Sequence, residues 1–260
     1  MSEAAERGAI FGDVTAMPVG GHVAEVELHR PPANYFDAPL LEAVVEAVRW
    51  AEDAGCRVVV LCSEGRHFCA GLDFGSTATP DTDALRLLYR QALALVAQPL
   101  PLVVAVQGAA VGGGLGLAMA GDFRVGSPSS RFSANFARLG FHQGFGLSVT
   151  LPRVIGRQRA LELLTTGRRI GGEEAHRIGL CDRLAEDPRA EAHVLAAEIA
   201  ASAPLAVRSI RATLRAGLVD RFAEALDHER TEQVRLMATA DFAEGIAASA
   251  ARRDPRFTGT

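Results

Sequence analysis

Val23 to His29 alternates apolar Ala24, Val26 and Leu28 with Glu25 and Glu27. That two-residue period predicts a half-exposed strand. Arg57 to Ser63 and Leu102 to Gln107 are nearly continuous apolar runs rich in valine, the pattern of strands buried on both faces. Between the first two, Leu40, Leu41, Val44, Val45 and Val48 recur at helical spacing behind Asp37, with Gly55 closing the segment. Aspartate at that place predicts an N-cap. Asp81 to Ala97 reads as a second helix, closed by Pro99 and Pro101, and Gly113 to Ala120 as a third, leading into a short strand at Asp122 to Val125.

From Gly156 onward strand signals nearly vanish. Arg157 to Thr166, Gly172 to Ile178, Ala190 to Ser202, Pro204 to Ala216, Arg221 to Ala238 and Asp241 to Ala251 all read as helices, the last opened by an Asp241/Glu244 capping box. Alternating strand and helix followed by a helical tail predicts an α/β core over residues 1–200 and a C-terminal helical region over 201–260. Gly75 to Pro80, rich in Ser, Thr and Gly, reads as a mobile loop placed to cover a neighbouring site.

Composition narrows the function classes. The 260 residues are 48% hydrophobic and 22% charged, with a formal net charge of −4. That balance argues against a nucleic-acid footprint. Short basic pairs such as Arg168-Arg169 and Arg252-Arg253 read as solvated faces. No apolar run approaches the ~18 residues of a membrane span, and the start of the chain lacks the basic and apolar segments of a secretory signal. Cys56, Cys62, Cys69 and Cys181 have no CxxC spacing, so no metal site is expected, and reduced thiols fit a cytoplasmic compartment.

Two loops carry the chemistry. The first, Gly65-Arg66-His67-Phe68-Cys69-Ala70-Gly71-Leu72-Asp73, follows the Arg57 run. The second, Gln107-Gly108-Ala109-Ala110-Val111-Gly112-Gly113-Gly114-Leu115-Gly116, follows the Leu102 run and opens a helix. Each leaves backbone N–H groups at the end of a strand. Two such groups aimed at one point form an oxyanion hole. No Lys-Ser/Thr follows the glycines, so this is not a P-loop, and their spacing does not give a dinucleotide fingerprint. A purely structural turn explains one such loop less awkwardly than it explains two.

His67 to Asp73, Gly108 to Gly114 with Ala118 to Asp122, Leu151 to Gly156, Gly167 to Gly179 and the tail from Asp241 to Phe257 resemble the crotonase superfamily, the enoyl-CoA hydratase/isomerase family. The resemblance spans nearly the whole chain. It implies an α/β fold, a crotonase-like spiral of ββα units with a C-terminal helical trimerisation region. It also implies an acyl-CoA substrate, with coenzyme A as part of that substrate and no tightly bound cofactor, and a homotrimer or hexamer. By position, the oxyanion N–H groups are expected at Ala70 and Gly113. His67, Phe68, Leu72, Gly112, Phe136, Leu139 and Gln143 are expected to line the ligand path, with Arg253 and Phe257 reaching a ligand across a subunit interface.

The chain departs from the family where proton transfer occurs. Hydratases of this family place one glutamate three residues after the oxyanion glycine and a second after the strand that here contains Phe132. Those positions hold Gly116 and Phe136, and neither transfers a proton. His142 is the leading replacement candidate, because histidine is the side-chain type suited to proton transfer near neutral pH; Asp73, which could instead cap the turn after the first loop, and Tyr89 are weaker ones. Cys69 reads as a packed thiol and Asp122 as the anchor of a helix-to-strand turn. Three functions remain open: an acyl-CoA isomerase, hydrolase or other lyase working through an oxyanion or enolate; a catalytically silent acyl-CoA-binding protein; and a hydratase with non-standard acid/base residues.

Overall fold

Ten strands and ten α-helices are formed within residues 8–74 and 82–260, which the computed structural model describes. The expected loop at Gly75 to Pro80 lies outside the described residues. The strands are β1 (Ala9–Phe11), β2 (Val14–Pro18), β3 (Val23–Leu28), β4 (Val58–Ser63), β5 (Leu102–Val106), β6 (Ala109–Val111), β7 (Phe123–Gly126), β8 (Arg131–Ser133), β9 (Arg169–Gly171) and β10 (Arg183–Leu184). The helices are α1 (Ala38–Asp53), α2 (Thr82–Val96), α3 (Gly113–Ala120), α4 (Leu147–Ile155), α5 (Arg157–Thr166), α6 (Gly172–Arg177), α7 (Pro188–Ala200), α8 (Pro204–Leu214), α9 (Leu218–Met237) and α10 (Ala240–Ala250).

A seven-stranded sheet runs β1-β2-β3-β4-β5-β7-β10, antiparallel up to β3 and parallel beyond it. Every residue of β4 and β5 is buried because both faces are covered. Val59, Leu61, Val104 and Val106 point to the side packed by α1 and α2, whereas Val58, Val60, Val103 and Ala105 pack under Ala192, Leu195 and Ala196 of α7. The two-sided burial explains why these strands read as apolar runs without alternation. A second sheet, β6-β8-β9, sits beside the first. Its three-residue strands carry no period; the family resemblance anticipated only β8, the strand containing Phe132, and β6 and β9 were not expected from the sequence.

The capping expectations divide. Asp37 caps α1 by accepting from Leu40 N at 2.8 Å. The Asp241/Glu244 capping box is corrected: Thr239 is the N-cap of α10, accepting from Phe242 N. Asp241 instead accepts from Thr258 N and Gly259 N, and Glu244 pairs with Arg253. Those contacts fold the C-terminal tail back on α10, a stronger use for both carboxylates than one helix turn offers. Asp122 anchors its turn by accepting from Leu102 N, and it also binds Arg211 and Arg215, tying α8 and the residue after it to the sheet. No single helix among the described residues is long and apolar enough to cross a membrane.

Candidate active site

The first loop is held from three sides. Asn34 is fully buried. Its side chain donates to Glu64 O and His67 O and accepts from Arg30 N, pinning the start of the loop to the segment before α1. Ser63 Oγ donates to Phe68 O at 2.8 Å. Cys69 then bridges to the second loop: its N–H donates to Ala109 O, and Val111 N donates back to its carbonyl. The Cys69 thiol is fully enclosed, and burial pushes it up to about 12, so it stays a neutral packed thiol.

This lacing decides which N–H groups remain free. The Ala70 N–H donates to Ala33 O at 2.9 Å and is not available to a ligand. The expectation for Ala70 is therefore corrected. Two residues on, the Leu72 N–H has no partner among the described residues, and neither does the N–H of Gly113 at the start of α3. Gly71 joins them. It has φ +84°, and a Cβ there would lie 2.9 Å from Val111 O and 3.1 Å from Gly113 N. Only glycine lets the two loops close this far.

Both free N–H groups face a cavity of ≈ 430 Å³. Five phenylalanines line it: Phe36, Phe74, Phe136, Phe141 and Phe145. Leu72, Leu88, Leu139 and Ile246 add aliphatic surface. Phe141 is the hub, with ring centroids 5.4 Å from Phe136, 5.6 Å from Phe74 and 5.3 Å from Phe242. Such aromatic contacts are favourable in tilted and edge-on arrangements. Asp73 is the one carboxylate lining the cavity among the described residues. Tyr35 lines the same wall, and burial, then the charge of Asp73, raises its phenol above the ordinary value.

Several expected residues are elsewhere. His142 is corrected as a pocket residue. Its ring does not line the cavity; Nδ1 lies 2.8 Å from Gln143 O, and the ring meets His228 edge-on at 5.7 Å. The Gln143 side chain also turns away, donating to Ser148 Oγ. Phe68 is fully buried in the core and does not reach the cavity. His67 accepts from Ala109 N, bracing the two loops. Gly112 lines the cavity as expected, though its N–H is spent on Ser133 O. Arg253 is held by Glu244 and Phe257 lies exposed; both were expected at a neighbouring subunit's site, and neither lines this chain's own cavity.

The vacated glutamate positions are filled. A Cβ on Gly116 would fall inside the Phe145 side chain, 2.8 Å from Cγ, and Phe136 forms cavity wall. Phe145 holds a left-handed backbone, φ +59°, unusual for an aromatic residue. Its loop is gripped by α9. Glu229, fully buried, accepts from Gly146 N at 2.7 Å and Ser148 N at 2.9 Å. Burial pushes Glu229 up to about 7, against the pull of those donors. Gln233 donates to His142 O and accepts from the Tyr89 hydroxyl at 2.7 Å. Sequence reading missed Glu229 and Gln233, which look like the polar face of an amphipathic helix.

The enoyl-CoA hydratase/isomerase family matches residues 19–260. The chain belongs to that family. A probable enoyl-CoA hydratase of Bacillus subtilis is 32% identical over 253 residues, spanning 94% of this chain and 98% of that protein. A probable enoyl-CoA hydratase of Mycobacterium tuberculosis is 38% identical over 260 residues, spanning 91% and 89%. Among solved structures, an enoyl-CoA hydratase from Mycobacterium avium superposes with a TM-score of 0.84 at 28% identity, covering 96% of this chain and all of that one. The fold is thus the crotonase fold.

Proposed function

We propose that this protein is an acyl-CoA enzyme that stabilises a thioester enolate. The thioester oxygen sits between the N–H groups of Leu72 and Gly113, and the acyl group enters the phenylalanine-lined cavity. The observation that carries this reading is a pair of N–H groups, unpartnered among the described residues, on two residues that line the same cavity. Donors already fixed in place stabilise charge that develops in the transition state, at roughly 3–4 kcal/mol for each one. The N-terminus of α3 adds a favourable dipole at the same point. Asp73 serves as the base that removes a proton from the carbon beside the thioester carbonyl; returned to that carbon the proton gives exchange, and returned two carbons further along an enoyl chain, with the double bond shifting, it gives isomerisation. Isomerisation suits this arrangement; two-glutamate hydration does not, since Gly116 and Phe136 leave no acid and base across a double bond.

The exposed apolar side chains of Leu205, Ile210 and Leu214 on α8 favour assembly through the helical tail, as a trimer or a dimer of trimers. A second reading, a silent acyl-CoA binder, is favoured by Phe145 filling the space over Gly116. Deuterium exchange separates the two. Hexanoyl-CoA incubated with enzyme in D2O acquires deuterium beside the carbonyl, read by mass spectrometry, and Asp73→Asn slows this at least a hundredfold, the usual contribution of a general base. Tight binding of acyl-CoA compounds with neither exchange nor conversion across a varied panel establishes the silent binder instead.

A further inference from the structure

Glu229 is a buried carboxylate that the proposed chemistry does not use. It lies on α9, is fully enclosed, and among the described residues forms no ion pair. A buried, unpaired carboxyl group is costly, so its surroundings must make use of it. Its two oxygens accept from Gly146 N and Ser148 N, the groups on either side of Leu147 at the start of α4. The first of these belongs to the residue directly after Phe145. One helical turn further along α9, Gln233 grips His142 O and the Tyr89 hydroxyl. The segment from His142 to Ser148 is therefore clamped at both ends by one helix.

The clamped segment carries Phe145 in its left-handed conformation. There the side chain lies against Gly116, and its ring meets Phe36 with centroids 5.4 Å apart. Phe145 and Phe36 both line the cavity. A left-handed aromatic residue persists only where its surroundings over-determine it. We infer that Glu229 is a positioning residue for the acyl end of the pocket: by holding Gly146 and Ser148 it sets Phe145 as the apolar floor on which the acyl chain rests. Glu229 itself touches no ligand.

This inference rests on the acyl-binding reading of the cavity, and one experiment keeps the two apart. Dissociation constants for acetyl-CoA and hexanoyl-CoA are measured by calorimetry on the full-length wild type, Glu229→Gln, Glu229→Asp and Phe145→Ala. The wild type binds hexanoyl-CoA at least tenfold more tightly than acetyl-CoA, because each methylene buried on an apolar floor contributes about fourfold. Absence of any acyl-CoA binding by the wild type overturns the function reading. Glu229→Gln puts an amide NH2 against a backbone N–H, and Glu229→Asp is one methylene too short to span both donors. In each, the preference falls to within about threefold while acetyl-CoA affinity holds, and Phe145→Ala reproduces the loss. Retention of the wild-type preference in both Glu229 variants overturns the inference. Equal loss of both ligands in them also overturns it, because it reduces Glu229 to general support of the fold.

Discussion

Restoring a glutamate at position 116 is the sharpest perturbation of this site. A Cβ there lies 2.8 Å from Phe145 Cγ and 3.0 Å from Cδ1, where ordinary contact needs more than 3.4 Å. Overpacking of this kind costs about 1–3 kcal/mol. The carboxyl group adds a further penalty of about 1–3 kcal/mol for a polar group buried without a partner. Gly116→Glu is therefore expected to lose about 2–6 kcal/mol of a total stability of roughly 5–15 kcal/mol. Phe145→Gly removes the clash and relieves a left-handed backbone worth roughly 1–2 kcal/mol, yet forfeits about 3–5 kcal/mol of aromatic burial. The double variant should then be more stable than the sum of the single losses by about 1–3 kcal/mol. Urea unfolding of the four proteins at one protein concentration measures this, and crotonyl-CoA hydration, followed by absorbance, is read in parallel. Gly116→Glu is expected to show no hydration. Single losses that add to within about 0.5 kcal/mol refute the coupling. A Gly116→Glu protein as stable as the wild type and active on crotonyl-CoA refutes the whole assignment of Phe145 to that space.

Two further outcomes follow from the loops and the sheet. Gly71→Ala, with its Cβ 2.9 Å from Val111 O and 3.1 Å from Gly113 N, should part the two loops and reduce turnover of any substrate about 10²–10³-fold, the value of one oxyanion donor; wild-type kcat in that variant contradicts the placement. At Glu25, burial opposes ionisation, but hydrogen bonds from His193 and Arg189 outweigh it and bring the carboxyl down to about 2. A folded pKa below the unfolded value of about 4.5 gives stability that is present above pH 4.5 and lost as pH falls through about 2. The contribution is about 3 kcal/mol. Glu25→Gln should therefore destabilise the protein at pH 7 and not at pH 2, as read from denaturant midpoints; an equal effect at both pH values contradicts the pairing.

The elements that were legible in the sequence are those with a strong period or a strong run. The α3 bounds match the reading of Gly113 to Ala120, and β4 and β5 fall within a residue of their apolar runs. Two covered faces leave no alternation to misread. The small sheet escaped except for β8, known only through the family resemblance, because β6, β8 and β9 have three residues each, too few to show a period. The oxyanion register also escaped. Whether Ala70 or Leu72 offers its N–H depends on the path of the backbone past Ala33, which residue types in the loop do not encode. His142 looked chemical because histidine is the side-chain type suited to proton transfer near neutral pH, but Gln233, from a helix ninety residues away in sequence, fixes its backbone carbonyl, and its ring lies against Gln143 O and His228. Glu229 was invisible for the converse reason: a carboxylate on an amphipathic helix reads as solvated, and only tertiary packing buries it.

The pairing of Leu72 and Gly113 is the claim on which the rest depends. A crystal structure with bound hexanoyl-CoA tests it most directly. The thioester oxygen is expected at about 2.7–3.1 Å from both the Leu72 and Gly113 nitrogens, with the acyl chain between Phe36, Phe136 and Phe145. A thioester oxygen directed at Ala70 N or left in solvent contradicts it, as does an acyl chain lodged outside the phenylalanine-lined cavity.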